Sequence, residues 1–276
     1  MRITQGTVIC NARSSKYPEI ECHAIIITAR CDLAQEKTDK VFYLIGVPLT
    51  QWIYSDSGFH NVIAGTVSNL SDSLKQLITP YELCLEDLFA FSEEDMYTVI
   101  EATIPVNSVK SKIFDKIQKY KHLTSDKLSF NDKKKIIQEH KGDITKHLST
   151  ISNGANSHYI LLPKSVLDSS VDDYGLIVDL QELDYLQFSW IDPLLNGKFD
   201  VKESSVSEED KTSYDSKFHI NSGSGYAMPY CEIASPWIEY IMQHFSNLFI
   251  RIGVDSLEKD DIKQAIVTIS TLEEEK

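Results

Sequence analysis

HAIIITARCDLAQEKTDKVFYLIGVPL, residues 23–49, decides the fold class. An apolar run from Ala24 to Ile27 stops on Thr28-Ala29-Arg30-Cys31-Asp32, and a second run from Val41 to Val47 follows a polar connection. Both runs are short and rich in β-branched and aromatic residues, which is the composition of strands. Upstream, ITQGTVIC at 3–10 reads the same way and is set off by the turn-prone RSSKYPE. Three strands consecutive in sequence predict an antiparallel meander or a small barrel.

From Val67 the apolar period changes. Leu70, Leu74, Leu77 and Ile78 fall at helical spacing, Pro80 breaks the pattern, and YELCLEDLFAF starts a second helix. Val109, Ile113, Ile117 and Tyr120 predict a third after Pro105, and the lysine-rich stretch through His147 a fourth, while Glu93, Glu94 and Asp95 read as a solvated turn. HYILLPK and GLIVDLQELDYL return to strand and complete the sheet. Between Asn196 and Ser224 the chain turns polar and acidic, too poor in apolar residues to offset the entropy of ordering, and reads as a mobile loop. Its GSG at 223–225 lacks the strand and helix that a phosphate loop requires. Ser235 and Pro236 then open a helix whose Trp237, Ile241, Phe245, Leu248 and Ile252 form one stripe, with Arg251 in the last turn and Gly253 as a stop.

The expected fold is therefore α+β: a small N-terminal β-barrel or curled antiparallel sheet, a helical insertion and a C-terminal packing helix. The chain reads as one elaborated domain, with strands in 1–65, the insertion in 66–150, return strands in 151–195, the acidic loop in 196–225, and the helix and tail in 226–276.

Composition narrows the function classes. No apolar run approaches the ~20 residues of a membrane helix, and MRITQGTVIC has no long apolar segment of a secretory signal, so the expected location is the cytoplasm. Five cysteines without a C-x-x-C spacing predict free thiols. A formal charge of −14 argues against wholesale nucleic-acid binding. The charge is segregated, however, because residues 107–147 hold eleven lysines against five acids. Such a segment is either a solvated helical face or a docking surface, with Lys133, Lys134 and Lys135 at its centre.

Candidate chemistry centres on Cys31. A thiol at a strand end could act as a nucleophile with Asp32 orienting it and His60, or His23, as base; the bland alternative is a buried Cys beside a turn-forming Asp. Cys10, Cys22 or His23, and Cys31 lie on adjacent strands but lack zinc-motif spacing, so no metal or cofactor is expected. Asp179 sits inside the apolar strand GLIVDLQEL, where a buried acid needs a partner. Arg251 is the expected partner, in a clasp with Asp32 first and Asp179 second. No H-E-x-x-H, G-x-S-x-G, Walker or kinase pattern occurs.

The opening Gln5-Gly6 strand, the strand IIITARCDLAQ running into Cys-Asp, and SPWIEYIMQHFSNLFIRIGV near the far end resemble a broad family of uncharacterised bacterial cytoplasmic proteins. The N-terminal strands are also similar to the small SH3-like barrels of toxin endoribonucleases, although six basic and six acidic residues in 1–64 do not make a ribonuclease groove. The resemblance implies proximity to signalling or antiviral defence genes, and supplies no activity. The expected function is that of a non-enzymatic accessory or recognition protein binding another protein of the same operon, with a cysteine-nucleophile hydrolase or transferase at Cys31 as the alternative. Nothing in the sequence bears on oligomeric state.

Overall fold

The computed structural model describes residues 2–154, 158–167, 174–195, 216–218 and 227–250. Strands β1 (Thr7–Ala12), β2 (Cys22–Ile26) and β3 (Lys40–Pro48) form the expected antiparallel meander. β5 (Gly175–Gln187) pairs along the whole of β3, β4 (Tyr159–Pro163) pairs with the first part of β5, and β6 (Pro229–Glu232) adds to β1. The order is β4-β5-β3-β2-β1-β6 and every pairing is antiparallel, so the fold is α+β with a six-stranded curled half-barrel sheet. The β3–β5 register jumps at one point: Leu44 faces Leu183, but Ile45 faces Asp179. Residues 180–182 are the extra ones, and such a bulge re-aims the side chains that flank it.

Both faces of the sheet are covered, which is why the strands read as nearly continuous apolar runs. On the inner face Ile9, Ala24, Ile26, Tyr43, Ile45 and Ile177 pack against α2 (Leu49–Tyr54), the first half of α3 (Asp56–Ile78), α7 (Phe130–Glu139) and α8 (Lys141–Ser152). On the outer face Val8, Ile25, Leu44, Val178 and Cys231 pack against Ile238 and Ile241 of α10 (Trp237–Ile250). A two-residue period sends alternate side chains to these two cores.

Helix α3 has 23 residues and so runs about 35 Å. Its Phe59, Val62 and Ile63 lie in the sheet core, while Leu74 and Ile78 enter a separate core with Leu85 and Leu88 of α4 (Leu85–Ala90), Met96 and Ile100 of α5 (Glu93–Thr103), and Ile113 and Ile117 of α6 (Asn107–Leu123). The insertion thus has a hydrophobic interior of its own.

The structure departs from the expected boundaries in five places, the strand β6 inside the expected helix and tail of 226–276 being one. Helix begins at Leu49 rather than 66, with Ser55 capping α3 by accepting from the Gly58 N–H. The acids Glu93–Asp95 are the first turn of α5, capped by Ser92, where negative charge suits the helix dipole. The expected fourth insertion helix is two, α7 and α8, meeting at His140. The Cys31-Asp32 pair is not a strand end but part of the short helix α1 (Arg30–Ala34). A short helix, α9 (Ile191–Leu195), follows β5.

Candidate functional site

Among the described residues the nominated Cys31 and His60 do not pair. Cys31 is exposed, and its Sγ contacts the Asp32 carboxylate at 3.5 Å, a neighbour whose charge has the wrong sign to assist a thiolate. Arg30 lies 4.0 Å from Glu232. His60 is on the first turns of α3, not in a loop, and its Nδ1 meets the Asp56 carbonyl at 2.7 Å. Cys31 follows the end of β2 that pairs with Tyr43, whereas His60 lies beyond Pro48 at the other end of β3, about 17 Å along the strand. His23 is half-buried against Tyr230, with ring centroids 5.3 Å apart, while its neighbour Cys22 belongs to the inner core. No group of three or more metal-ligating side chains occurs among the described residues. Arg251 and the GSG at 223–225 lie outside the described residues, as does all but 216–218 of the acidic loop.

Asp179 is fully buried, as its strand context predicts, and its partner is Lys16. The Lys16 ammonium donates to Oδ2 at 2.6 Å and to the Tyr159 hydroxyl at 3.2 Å, the Tyr17 hydroxyl donates to the same Oδ2 at 2.8 Å, and the Gln181 N–H donates to Oδ1 at 3.1 Å. That last bond comes from the bulge, and Lys16 and Tyr17 come from the β1–β2 connection that had read as a plain turn. Burial works against the Lys16 ammonium, but Asp179 and Tyr159 outweigh it and hold its pKa above the ordinary value. Burial first, and then the Asp179 charge, also raise Tyr17. Burial, with the charges of Glu182 and Asp179, pushes the Cys22 thiol up to about 12.

All three folded-state values are raised. Their stabilisation is complete below the unfolded values, which start at 9.0 for the Cys22 thiol, and is lost as pH climbs toward the folded ones. Denaturant titrations should therefore show stability falling above pH 9, by about 1.4 kcal/mol per pH unit for the Cys22 contribution. Cys22→Ala should flatten the first part of that fall, and a profile level from neutral pH to strongly alkaline pH would contradict the assignment.

Beside this network lies a cleft of about 410 Å³ lined by Lys16, Tyr17, Ser57, Asp56 and Lys133. Its two ammonium groups are committed already, Lys16 to Asp179 and Lys133 to Asp56 at 2.6 Å and to the Tyr54 carbonyl at 2.8 Å. Lys133 is thus a buried cation with internal partners, whereas Lys134 and Lys135 are exposed.

The insertion holds a second concavity, about 420 Å³, between α3, α6, α7 and α8. Its apolar floor is Leu70, Leu123 and Ile136. Lys116, Lys119 and His122 of α6 form one wall, and Glu139, His140 and Asp143 stand opposite. Three lysines of the segment are neutralised from outside it: Lys110 by Glu101 at 2.5 Å, Lys121 by Glu93 at 3.3 Å, and Lys133 by Asp56. Lys116 and Lys119 form no ion pair among the described residues.

No helix among the described residues is long and apolar enough to cross a membrane. Comparison with protein-family models, with curated proteins and with solved structures finds no match to this chain.

Proposed function

We propose that this chain is a non-enzymatic accessory or recognition protein that works in the cytoplasm and binds another protein, encoded beside it, through the helical insertion. The observation that carries this reading is the groove of the insertion, where uncommitted lysines stand over an apolar floor whose Leu123 and Ile136 belong to the sheet core. Segregated charge of this kind steers association and selects partners. What favours this reading over the cysteine-nucleophile alternative is that the Cys31 thiol contacts the Asp32 carboxylate rather than an imidazole.

Affinity purification of the tagged full chain from its native cells tests the reading. One specific protein should be recovered, released by high salt, and recovered equally well by Cys31→Ala. A purification that yields no specific partner, or one whose yield collapses with Cys31→Ala, would refute it.

A further inference from the structure

We infer that the groove between α3, α6, α7 and α8 takes a short acidic amphipathic helix of a partner protein, its apolar stripe on Leu70, Leu123 and Ile136 and its carboxylates on Lys116 and Lys119. The inference rests on the recognition reading and names the occupant of that site.

Shape argues for a helix. The walls are themselves helices, and a furrow between packed helices with an apolar floor accepts one further helical ridge, the arrangement used when an amphipathic helix is captured in a groove. Charge argues for acidity. The segment carries eleven lysines, and the two that line the groove, Lys116 and Lys119, are answered by no described carboxylate. Lys116 is half-buried, so part of its side-chain freedom is already lost before a carboxylate arrives.

The opposite wall gives the occupant a sidedness. Glu139 leans toward Lys135 at 4.0 Å, and Asp143, in the first turn of α8, accepts from the Thr66 hydroxyl at 3.4 Å. Both would repel a carboxylate placed beside them, so the acids of the partner helix belong on the α6 side only. The same two carboxylates disfavour a nucleic-acid backbone, and no Phe, Tyr or Trp ring lines the groove to stack a base.

The test uses fluorescence anisotropy of the full chain with three labelled probes: a synthetic helix with leucines on one stripe and glutamates along one side of it, the same helix with lysines for glutamates, and oligouridine RNA. The glutamate helix should bind, the other two should not, and binding should weaken between about 0.1 M and about 1 M salt, over which the Debye length shrinks from ~10 to ~3 Å. Lys116→Glu with Lys119→Glu should lower its affinity about tenfold or more, and Leu70→Ser should weaken it with little change in salt dependence. Failure of the glutamate helix to bind, equal binding by the charge-reversed chain, or equal or tighter binding of the lysine helix or the RNA would each overturn the inference. If native purification recovers a partner equally with the charge-reversed chain, the groove is wrong and the recognition reading stands. If the glutamate helix binds as described and native purification yields nothing, the reverse holds.

Discussion

Asp179→Ala should destabilise the fold by roughly 3–5 kcal/mol, the range expected when one partner of a buried ion pair is removed. The carboxylate is fully buried and collects three donors: Lys16, Tyr17 and the Gln181 N–H. Without it the Tyr17 hydroxyl, itself buried, and the bulge N–H lose their acceptor inside the inner core, each at a further desolvation cost. Lys16→Met should cost less, because the lysine side chain keeps 26% of its exposure and its replacement can pack along the same path. The decisive measurement is the double variant. Lys16→Met with Asp179→Ala removes both charges, and chemical denaturation should give a loss smaller than the two single losses summed, by a coupling of about 1–3 kcal/mol. Strict additivity would mean that the 2.6 Å contact does not organise the site.

Gly58→Ala should be the other severe substitution, at about 3 kcal/mol or more, although alanine normally improves a helix. A Cβ at position 58 would stand 1.9 Å from the Trp52 carbonyl oxygen, 2.7 Å from its carbon and 2.8 Å from Cδ2 of the indole. Two of those three atoms are backbone, so the contact cannot be relieved by a rotamer change, and α3 would have to move away from α2. Trp52 and Phe59, both fully buried, would be pulled out of register with the inner face of the sheet. Gly65, seven residues along the same helix, has nothing within 4 Å of its would-be Cβ. Gly65→Ala should therefore raise the thermal midpoint slightly, by up to ~1 kcal/mol in stability. Similar melting curves for the two variants would show that the α2–α3 joint is looser than its geometry implies.

Much of this architecture follows from residue pattern. The meander is legible because IIITAR and VFYLIGV are dense in β-branched and aromatic residues and are separated by a short polar connection. The return of HYILLPK and GLIVDLQEL to the same sheet is legible for the same reason. So is α10, whose Ile241 repeats with Trp237 and Phe245 at helical spacing and buries against the outer face, although the deepest contact is shared by Ile238, which the stripe omitted. The start of α3 was not legible: Gly58, Val62, Ile63, Thr66 and Val67 are all poor helix formers, and only packing of Phe59 and Ile63 on the sheet makes the segment helical. Strand β6, four residues long and headed by Pro229, is too short to carry a period of its own.

By itself, then, the sequence determined the α+β class, the antiparallel order of β1 to β3, and the presence of an acid inside β5 that required a counter-charge, because each rests on composition and spacing over a few neighbouring residues. Which charge answers Asp179, which lysines are spent on internal pairs, and that Cys31 and His60 stand apart were decided only by the tertiary structure. Lys16 meets Asp179 across 163 positions of sequence, and Lys133 meets Asp56 across 77. Contacts of that separation leave no local periodicity, since they are set by how the sheet curls and where the bulge at 180–182 turns its flanking side chains.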